Sequence, residues 1–252
     1  MSNPFSLEGR RAMVTGANTG IGQGIAISLA AAGAEVLAVG RSSMAETEDA
    51  IRGAGGRVSA IKADLGKTGT VAAMLDAAWD AHGPIDILVN NAGIIRRAAA
   101  IDFTETDWDD VLDVNLKSVF LLSQAFARQV FAAGRSGKIV NIASLMSFQG
   151  GIRILSYTAA KSGLAGLTRI LANEWASKGI NVNAIAPGYI VTNNTEALRN
   201  DPERTADILK RIPAGRWGSP QDIGGTAVYL ASDAANYVHG AILPVDGGWL
   251  AR

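Results

Sequence analysis

The stretch Thr15-Gly16-Ala17-Asn18-Thr19-Gly20-Ile21-Gly22 decides the fold of this chain. It follows the apolar run 12–15 and leads into an Ala-rich segment of helical spacing, which predicts a turn between a first strand and a first helix. Glycines in such a turn let the backbone approach an anion, and the exposed amides of the helix N-terminus favour a phosphate. The spacing G-x-x-x-G-x-G differs from the G-x-G-x-x-G fingerprint, so a plain glycine-rich turn stays the alternative.

Outward from this turn, short apolar runs alternate with longer segments of helical period. This alternation predicts βαβ units around a parallel sheet that is covered on both faces. The predicted strands are 12–15, 35–39, 58–62, 87–90, 138–142, 181–186 and 241–245. The predicted helices are 22–31, 45–54, 70–82, 106–133, 156–177 and 221–232. Segment 188–218, rich in Asn, Arg, Pro and Gly, breaks the rhythm and predicts a partly helical substrate lid.

The composition favours a single domain over residues 1–252, with 48% hydrophobic residues to build one core. Lys plus Arg equal Asp plus Glu at 23 each, so the chain has no charge excess to hold nucleic acid or an anionic membrane. The absence of cysteine excludes disulfides, thiolate catalysis and zinc-thiolate sites. The first residues do not have the pattern of a signal peptide and no apolar run is typical of a membrane span, so we expect a cytoplasmic protein.

Tyr157 and Lys161 are four residues apart in a predicted helix, so they share one face and their polar ends can meet. An ammonium close to a phenol stabilises the phenolate and draws its pKa toward a range useful for acid/base catalysis. The alternative is an amphipathic helix that carries an incidental Tyr and Lys.

Two further polar residues lie where a catalytic group is expected. Ser144 follows the predicted strand 138–142, whose carboxyl end faces the ligand crevice of an open α/β sheet; Ser147 is a competing candidate. Asn115 lies inside the predicted helix 106–133, where Asn is not a favoured interior residue. Their alternatives are a turn or cap serine and a polar residue on a solvated helix face.

Five motifs taken together resemble the short-chain dehydrogenase/reductase family over nearly the whole chain. They are the glycine turn, Asn90-Asn91-Ala92-Gly93, Ser144, Tyr157-Thr158-Ala159-Ala160-Lys161 and Pro187-Gly188. The resemblance implies a doubly wound, Rossmann-like α/β domain of seven parallel strands, an NAD(P)-dependent oxidoreductase acting on a secondary alcohol or ketone, and a homotetramer.

The same resemblance implies the roles of four catalytic residues. Tyr157 is expected to be the acid/base group, with Lys161 beside it. Ser144 is expected to donate a hydrogen bond to the reacting oxygen. Asn115 is expected to distort its helix and to hold a water that relays protons to the lysine.

The cofactor preference is predicted from the end of the second strand. Gly40 occupies the position where NAD-specific members carry an acidic residue, and Arg41 and Ser42 that follow suit a 2′-phosphate, so NADP is favoured. Thr19 occupies a position where many NADP-dependent relatives carry a basic residue, so NAD stays an alternative. The cofactor contacts implied by the resemblance are Gly16, Asn18, Thr19, Gly20, Ile21, Gly22, Arg41, Ser42, Asp64, Leu65, Asn91, Ala92, Gly93, Tyr157, Lys161, Pro187, Gly188, Ile190 and Thr192.

The segments expected to line the substrate pocket are polar and basic, which suits a hydroxylated anion. Four stretches, 149–153, 186–195, 212–218 and 245–252, resemble the branch of the family acting on sugar acids of the gluconate, 2-deoxygluconate or 2-dehydro-3-deoxygluconate type. The predicted substrate contacts are Arg96, Gln149, Arg153 and Asn193.

Arg153 is expected to pair with the substrate carboxylate because it precedes Tyr157 by one helical turn, with Arg96 or Arg97 as the alternatives. The alternative for each arginine is a solvated side chain or a contact with a neighbouring subunit. A 3-oxoacyl thioester reductase and a catalytically silent dinucleotide-binding regulator remain the other interpretations. No metal site is predicted, since His82 and His239 are far apart and lack ligand spacing.

Overall fold

A computed structural model describes residues 3–252. Met1 and Ser2 lie outside the described residues; they begin the stretch for which we predicted that it is not a signal peptide. Within 3–252 the chain forms one parallel sheet of seven strands in the order β3-β2-β1-β4-β5-β6-β7. The predicted doubly wound α/β fold is therefore confirmed. The strands are β1 Arg11–Thr15, β2 Glu35–Gly40, β3 Arg57–Lys62, β4 Ile87–Asn90, β5 Gly137–Ile142, β6 Ile180–Pro187 and β7 Ile242–Val245.

Helices cover both faces of the sheet. They are α1 Gly20–Ala31, α2 Ala45–Gly53, α3 Val71–His82, α4 Glu105–Leu112, α5 Ser118–Ala132, α6 Leu155–Trp175, α7 Glu196–Arg199, α8 Pro202–Arg211 and α9 Pro220–Ala231. Helices α7 and α8 lie in segment 188–218, whose role as a lid stays a prediction. Most predicted boundaries agree to within one or two residues; α9 begins at Pro220 because Ser219 and Asp222 form a capping box before it.

The prediction of one continuous helix over 106–133 was wrong, whereas the local distortion expected at Asn115 is observed. The segment is divided into α4, a π-helical turn Asp113–Lys117, and α5. The cause lies at Asn115, a fully buried residue whose side chain bonds to the backbone of Ile94 on a neighbouring loop. A π turn inserts a residue into the α-helical ladder, and here it allows Asn115 to face inward.

Two large apolar clusters, one on each face, pack against the sheet. One lies under α1 and α9, and the other lies under α3, α5 and α6. Strands β4, β5 and β6 are buried along their whole length, as strands of a sheet covered on both faces are expected to be. The strand order reverses direction between β1 and β4, and ligands of open α/β sheets bind outside the carboxyl ends of the strands at such a switch point.

Candidate active site

The glycine turn is locked to the second sequence motif by hydrogen bonds. The Asn91 side-chain amide donates to the carbonyls of Thr15 and Gly16, at 2.8 and 3.2 Å. The Thr15 hydroxyl accepts from the backbone N–H groups of Asn91 and Ala92, at 2.9 and 3.0 Å. A Cβ at Gly22 would overlap the Gly16 carbonyl, so the turn needs glycine there. The backbone is thereby held at the surface of the crevice.

Helix α1 begins at Gly20 with Thr19 as its N-cap. Within the described chain, the Thr19 side chain makes no capping hydrogen bond to the first turn. The amides of that turn therefore stay available as donors, and the helix dipole adds positive potential at the same point. These features fit the pyrophosphate of a dinucleotide.

A cavity of about 560 Å³ extends from this turn across the carboxyl ends of the strands. Every residue predicted to contact the cofactor lines it. The sequence interpretation missed further lining residues, which adjoin the motifs in the chain or end a strand: Val39, Gly40, Ala63, Gly66, Ile94, Val114, Ile142, Ala143, Asn194 and Thr195. These residues share a signal, because each lies at a strand end or next to a motif. They could therefore have been predicted from the strand assignment and the motifs.

At the outer end of the cavity, the loop after β2 is joined to the glycine turn. The Asn18 amide donates to the Ser42 hydroxyl at 2.8 Å. A Cβ at Gly40 would overlap the Met44 methyl group, so an acidic side chain does not fit there without displacing Met44. Arg41 is exposed at the mouth and forms no ion pair within residues 3–252.

At the inner end, Ser144 and Tyr157 line the cavity together. The Ser147 hydroxyl donates to the backbone carbonyl of Lys161 at 2.7 Å, so the structure assigns this competing serine a bond inside the protein. Burial raises the pKa of the Tyr157 phenol, while the Ser144 side chain and the positive charge of Arg97 lower it in part. These two neighbours favour the phenolate in a site that otherwise disfavours charge.

Lys161 is 4% exposed and its Nζ lies 5.7 Å from the centre of the Tyr157 ring. Its ammonium donates to the Ile142 carbonyl at 2.5 Å. Burial lowers the pKa of Lys161 to about 8, so its proton is exchangeable near neutral pH.

Asn115 lies close to the same end of the cavity. Its side-chain oxygen accepts from the Ile94 N–H at 2.8 Å, and its amide donates to the Ile94 carbonyl at 2.9 Å. Both ends of the side chain are thus engaged with the loop after β4. A water at this position would therefore have to bond to groups other than the two ends of the Asn115 side chain. The role of Asn115 in relaying protons to Lys161 stays a prediction.

Comparison with known proteins agrees with this geometry. A family profile described as "Enoyl-(Acyl carrier protein) reductase" matches residues 16–250. The chain is 56% identical over 248 residues to the 2-dehydro-3-deoxy-D-gluconate 5-dehydrogenase of Escherichia coli, covering 98% of each chain. The chain belongs to the short-chain dehydrogenase/reductase family. It is accordingly an NAD(P)-dependent oxidoreductase that acts on CH–OH groups.

Two solved members of the short-chain dehydrogenase/reductase family share the whole fold. A protein of Agrobacterium tumefaciens with bound NADP is 65% identical, with a TM-score of 0.95 and 100% of both chains covered. A gluconate 5-dehydrogenase of Burkholderia cenocepacia, solved with NADP and tartrate, is 40% identical, with a TM-score of 0.93 and coverage of 99% and 98%.

The substrate end of this short-chain dehydrogenase/reductase differs from the sequence interpretation. Of the four residues predicted to contact substrate, Asn193 alone lines the cavity within the described part of the chain. Arg96 is held by Asp107 and Asp110, each at 3.1 Å. The Gln149 side-chain oxygen accepts from the Trp249 indole N–H at 3.3 Å.

The geometric reason given for Arg153 was wrong. Helix α6 begins at Leu155, so Arg153 precedes the helix and is not one helical turn before Tyr157. Its backbone is left-handed, with φ 63°, and its side chain is exposed. The Arg153 carbonyl accepts a hydrogen bond from the Ala98 N–H at 3.2 Å. This bond joins the loop before α6 to the loop after β4.

Arg97 is the arginine whose positive charge lowers the pKa of the Tyr157 phenol. Its guanidinium donates to the Asn194 carbonyl at 3.1 Å, and Asn194 lines the cavity. Arg97 therefore connects the loop after β4 to segment 188–218 beside the cavity residue Asn194, although it is not among the described residues that line the cavity.

The two histidines lie outside this site. His82 ends α3, and the His239 ring lies 3.2 Å from the Asn181 amide. Among residues 3–252 no group of three or more His, Asp or Glu side chains could hold a metal ion. No helix in the same range is both long and apolar enough to cross a bilayer.

Proposed function

We propose that this enzyme interconverts a secondary alcohol and a ketone on a sugar acid, with NADP as its preferred cofactor. The observation that carries the proposal is the convergence of Ser144, Tyr157 and Lys161 at one end of a cavity whose other end is a phosphate-binding turn. The names of the relatives support the substrate class. A hydroxylated anion also suits an inner end bordered by Arg97 and Asn193.

In this proposal Tyr157 moves the proton of the reacting hydroxyl. The buried Lys161 ammonium lies close enough to stabilise the phenolate, and the Ser144 hydroxyl orients the substrate oxygen by a hydrogen bond. When bound, NADP would accept the hydride at its nicotinamide ring in the oxidation direction, and NADPH would supply it in the reduction direction. The glycine turn and the α1 N-terminus would hold the pyrophosphate at one end of the cavity, and Ser144 and Tyr157 line the other end.

The preference for NADP rests on Arg41. Residue 40 is glycine and offers no carboxylate to repel a 2′-phosphate, and Arg41, which forms no ion pair within residues 3–252, lines the cavity. Lys62 and Lys67 line a neighbouring pocket together with Arg41 and Asp64, so its charged residues give a net positive potential. NAD as a second cofactor stays a prediction, as do the homotetramer and the cytoplasmic location.

Arg41→Ala is expected to weaken NADP binding by about 10- to 100-fold, because a charge-assisted contact to the phosphate is lost. NAD, which has no 2′-phosphate, should change little. The dissociation constants of both cofactors, measured by calorimetry, check this expectation. Equal losses for both would show that Arg41 shapes the loop and does not bind the phosphate.

Arg97→Ala is expected to lower kcat/KM for a sugar acid by about 10- to 100-fold, because its guanidinium would bind the carboxylate or a neighbouring oxygen. The exposed Arg153→Ala is the matched control and should change kcat/KM by less than about threefold. A neutral polyol of similar size should be nearly insensitive to either change. Measuring both substrates with all three proteins forms a double cycle, and a loss confined to Arg153→Ala would reverse the assignment.

A substrate panel monitored by nicotinamide absorbance tests the function itself. Gluconate, 2-deoxygluconate and 2-dehydro-3-deoxygluconate types are expected to turn over, and a 3-oxoacyl thioester is expected to be poor. The thioester must be included because the matching family profile is described by an acyl-carrier reaction. Preference for the thioester would replace the sugar acid, and inactivity of the NADP-loaded enzyme on every substrate would favour a silent regulator.

A further inference from the structure

A third apolar cluster lies apart from the two sheet cores, and we call it the lid core. It joins the loop after β5, segment 188–218 and the end of the chain. Its members are Leu145, Met146, Ile154, Tyr157, Tyr189, Leu198, Ile208, Ile212, Trp217, Trp249 and Leu250. Because Tyr157 belongs to this cluster, packing in the lid core bears directly on the reacting end.

Trp249 is the member of the lid core that touches all of these segments. It is 5% exposed, and its ring centre lies 4.8 Å from that of Tyr189. The Arg211 guanidinium of α8 lies 3.9 Å from the same ring. The indole N–H donates to Gln149 in the loop after β5. Through one side chain, aromatic packing and a cation–π contact act on two parts of segment 188–218, and a hydrogen bond acts on the loop after β5.

The backbone that carries Trp249 is itself fixed. The Asp246 carboxylate accepts the N–H groups of Gly248 and Leu250, both at 2.9 Å. Gly248 is left-handed, with φ 91°, a conformation that glycine adopts without strain. The Arg252 guanidinium donates to the Lys210 carbonyl of α8 at 2.8 Å. On the other side of the indole, the Ala214 N–H of segment 188–218 donates to the Gly247 carbonyl at 2.9 Å. The end of the chain is thus joined to segment 188–218 on both sides of Trp249.

Trp249 does not itself line the cavity within the described residues, but Tyr189 connects it to the cavity wall. Gly188 and Ile190, the neighbours of Tyr189 in the chain, both line the inner end. A shift of Tyr189 would therefore move the part of the cavity wall that Gly188 and Ile190 form. The glycine turn and Arg41 are held by separate contacts.

We propose that Trp249 is a positioning residue that sets the substrate end of the site by clamping segment 188–218 to the loop after β5. The proposal rests on the proposed function for its substrate, but its mechanical part concerns this chain alone. Losing the indole should loosen the substrate end and leave the outer end of the cofactor site in place.

The kinetic test compares Trp249→Ala with Trp175→Ala. Trp175 is a matched control because it is 9% exposed, packs edge-on against Phe131 at 6.2 Å, and belongs to a sheet core. Trp249→Ala is expected to lower kcat/KM for the sugar acid by about 10- to 100-fold, mainly through KM, since small misplacements are costly. Its affinity for 2′,5′-ADP, a probe of the outer end, should stay within about threefold of the parent.

Conservative variants separate positioning from simple loss of stability. Trp249→Phe keeps an aromatic ring against Tyr189 and Arg211 and should restore most of kcat/KM, losing only the bond to Gln149. Should Trp249→Ala fail to fold, Trp249→Leu carries the same expectation. A KM for the sugar acid in Trp249→Ala, or in Trp249→Leu if the alanine variant does not fold, that equals the parental KM would overturn the proposal.

Limited trypsin digestion supplies a readout that needs no substrate. Arg204, Lys210 and Arg211 are exposed cleavage sites on α8. Trp249→Ala should be cleaved there on the order of tenfold faster than the parent, because local opening exposes backbone to the protease. Trp175→Ala should show no such selective increase. Unchanged cleavage of α8 would overturn the clamp, whereas a parent inactive on sugar acids would overturn only the proposed function.

Discussion

Replacing Tyr157 by phenylalanine is expected to lower kcat by about 10²- to 10⁴-fold, the range typical of a lost general acid/base group. The ring of Tyr157 packs in the lid core, and phenylalanine preserves this packing while it removes the hydroxyl. NADP affinity should therefore stay within about threefold of the parent. Steady-state kinetics with the sugar acid, together with a cofactor titration, measure both quantities.

Tyr237→Phe is the matched control for this variant. Tyr237 is fully exposed, at 100%, so loss of its hydroxyl should leave kcat unchanged. A Tyr157→Phe protein that kept more than about a tenth of the parental kcat would remove the phenol from the proposed mechanism.

Lys161→Met is expected to abolish most turnover and yet stabilise the cofactor-free protein. The change removes the charge beside Tyr157, so kcat should fall by about 100-fold or more. It also removes a buried ammonium, which should raise the free energy of unfolding at pH 7 by about 1 to 3 kcal/mol. Assays and thermal melts of the same preparation show both effects.

The stability gain should depend on pH in a defined direction. Below pH 8 the Lys161 ammonium is charged in both the folded and the unfolded chain, so the folded state carries the full cost of burying it. From about pH 8 toward 10.5, the folded chain loses the proton first and this cost declines. The advantage of Lys161→Met should therefore shrink across that window. An advantage that grew with pH would contradict the lowered pKa.

Lys138→Met provides the control for catalysis. Lys138 is 5% exposed, burial lowers its pKa to about 8, and it is bonded to Asn181 and Asn236 away from the cavity. Its replacement should leave kcat within about twofold of the parent. If Lys138→Met lost as much activity as Lys161→Met, the loss in Lys161→Met would reflect the general effect of removing a buried lysine and not a catalytic role of Lys161.

The sequence by itself determined the fold and most of the cofactor cavity. Strand–turn–helix order is a local property, so the glycine turn, the seven strands and the face shared by Tyr157 and Lys161 could be predicted from spacing. Residues at strand ends could be predicted as well, because the carboxyl ends of parallel strands meet at one edge of the sheet.

Only the tertiary structure decided the substrate end. The π turn depends on the bonds from Asn115 to Ile94, and Arg153 lost its expected position because a left-handed residue precedes α6. Arg97 and Trp249 gained importance through contacts with segment 188–218 and α8, which lie far from them in sequence. Loop side chains take their direction from such non-local contacts, and spacing along the chain carries no information about them.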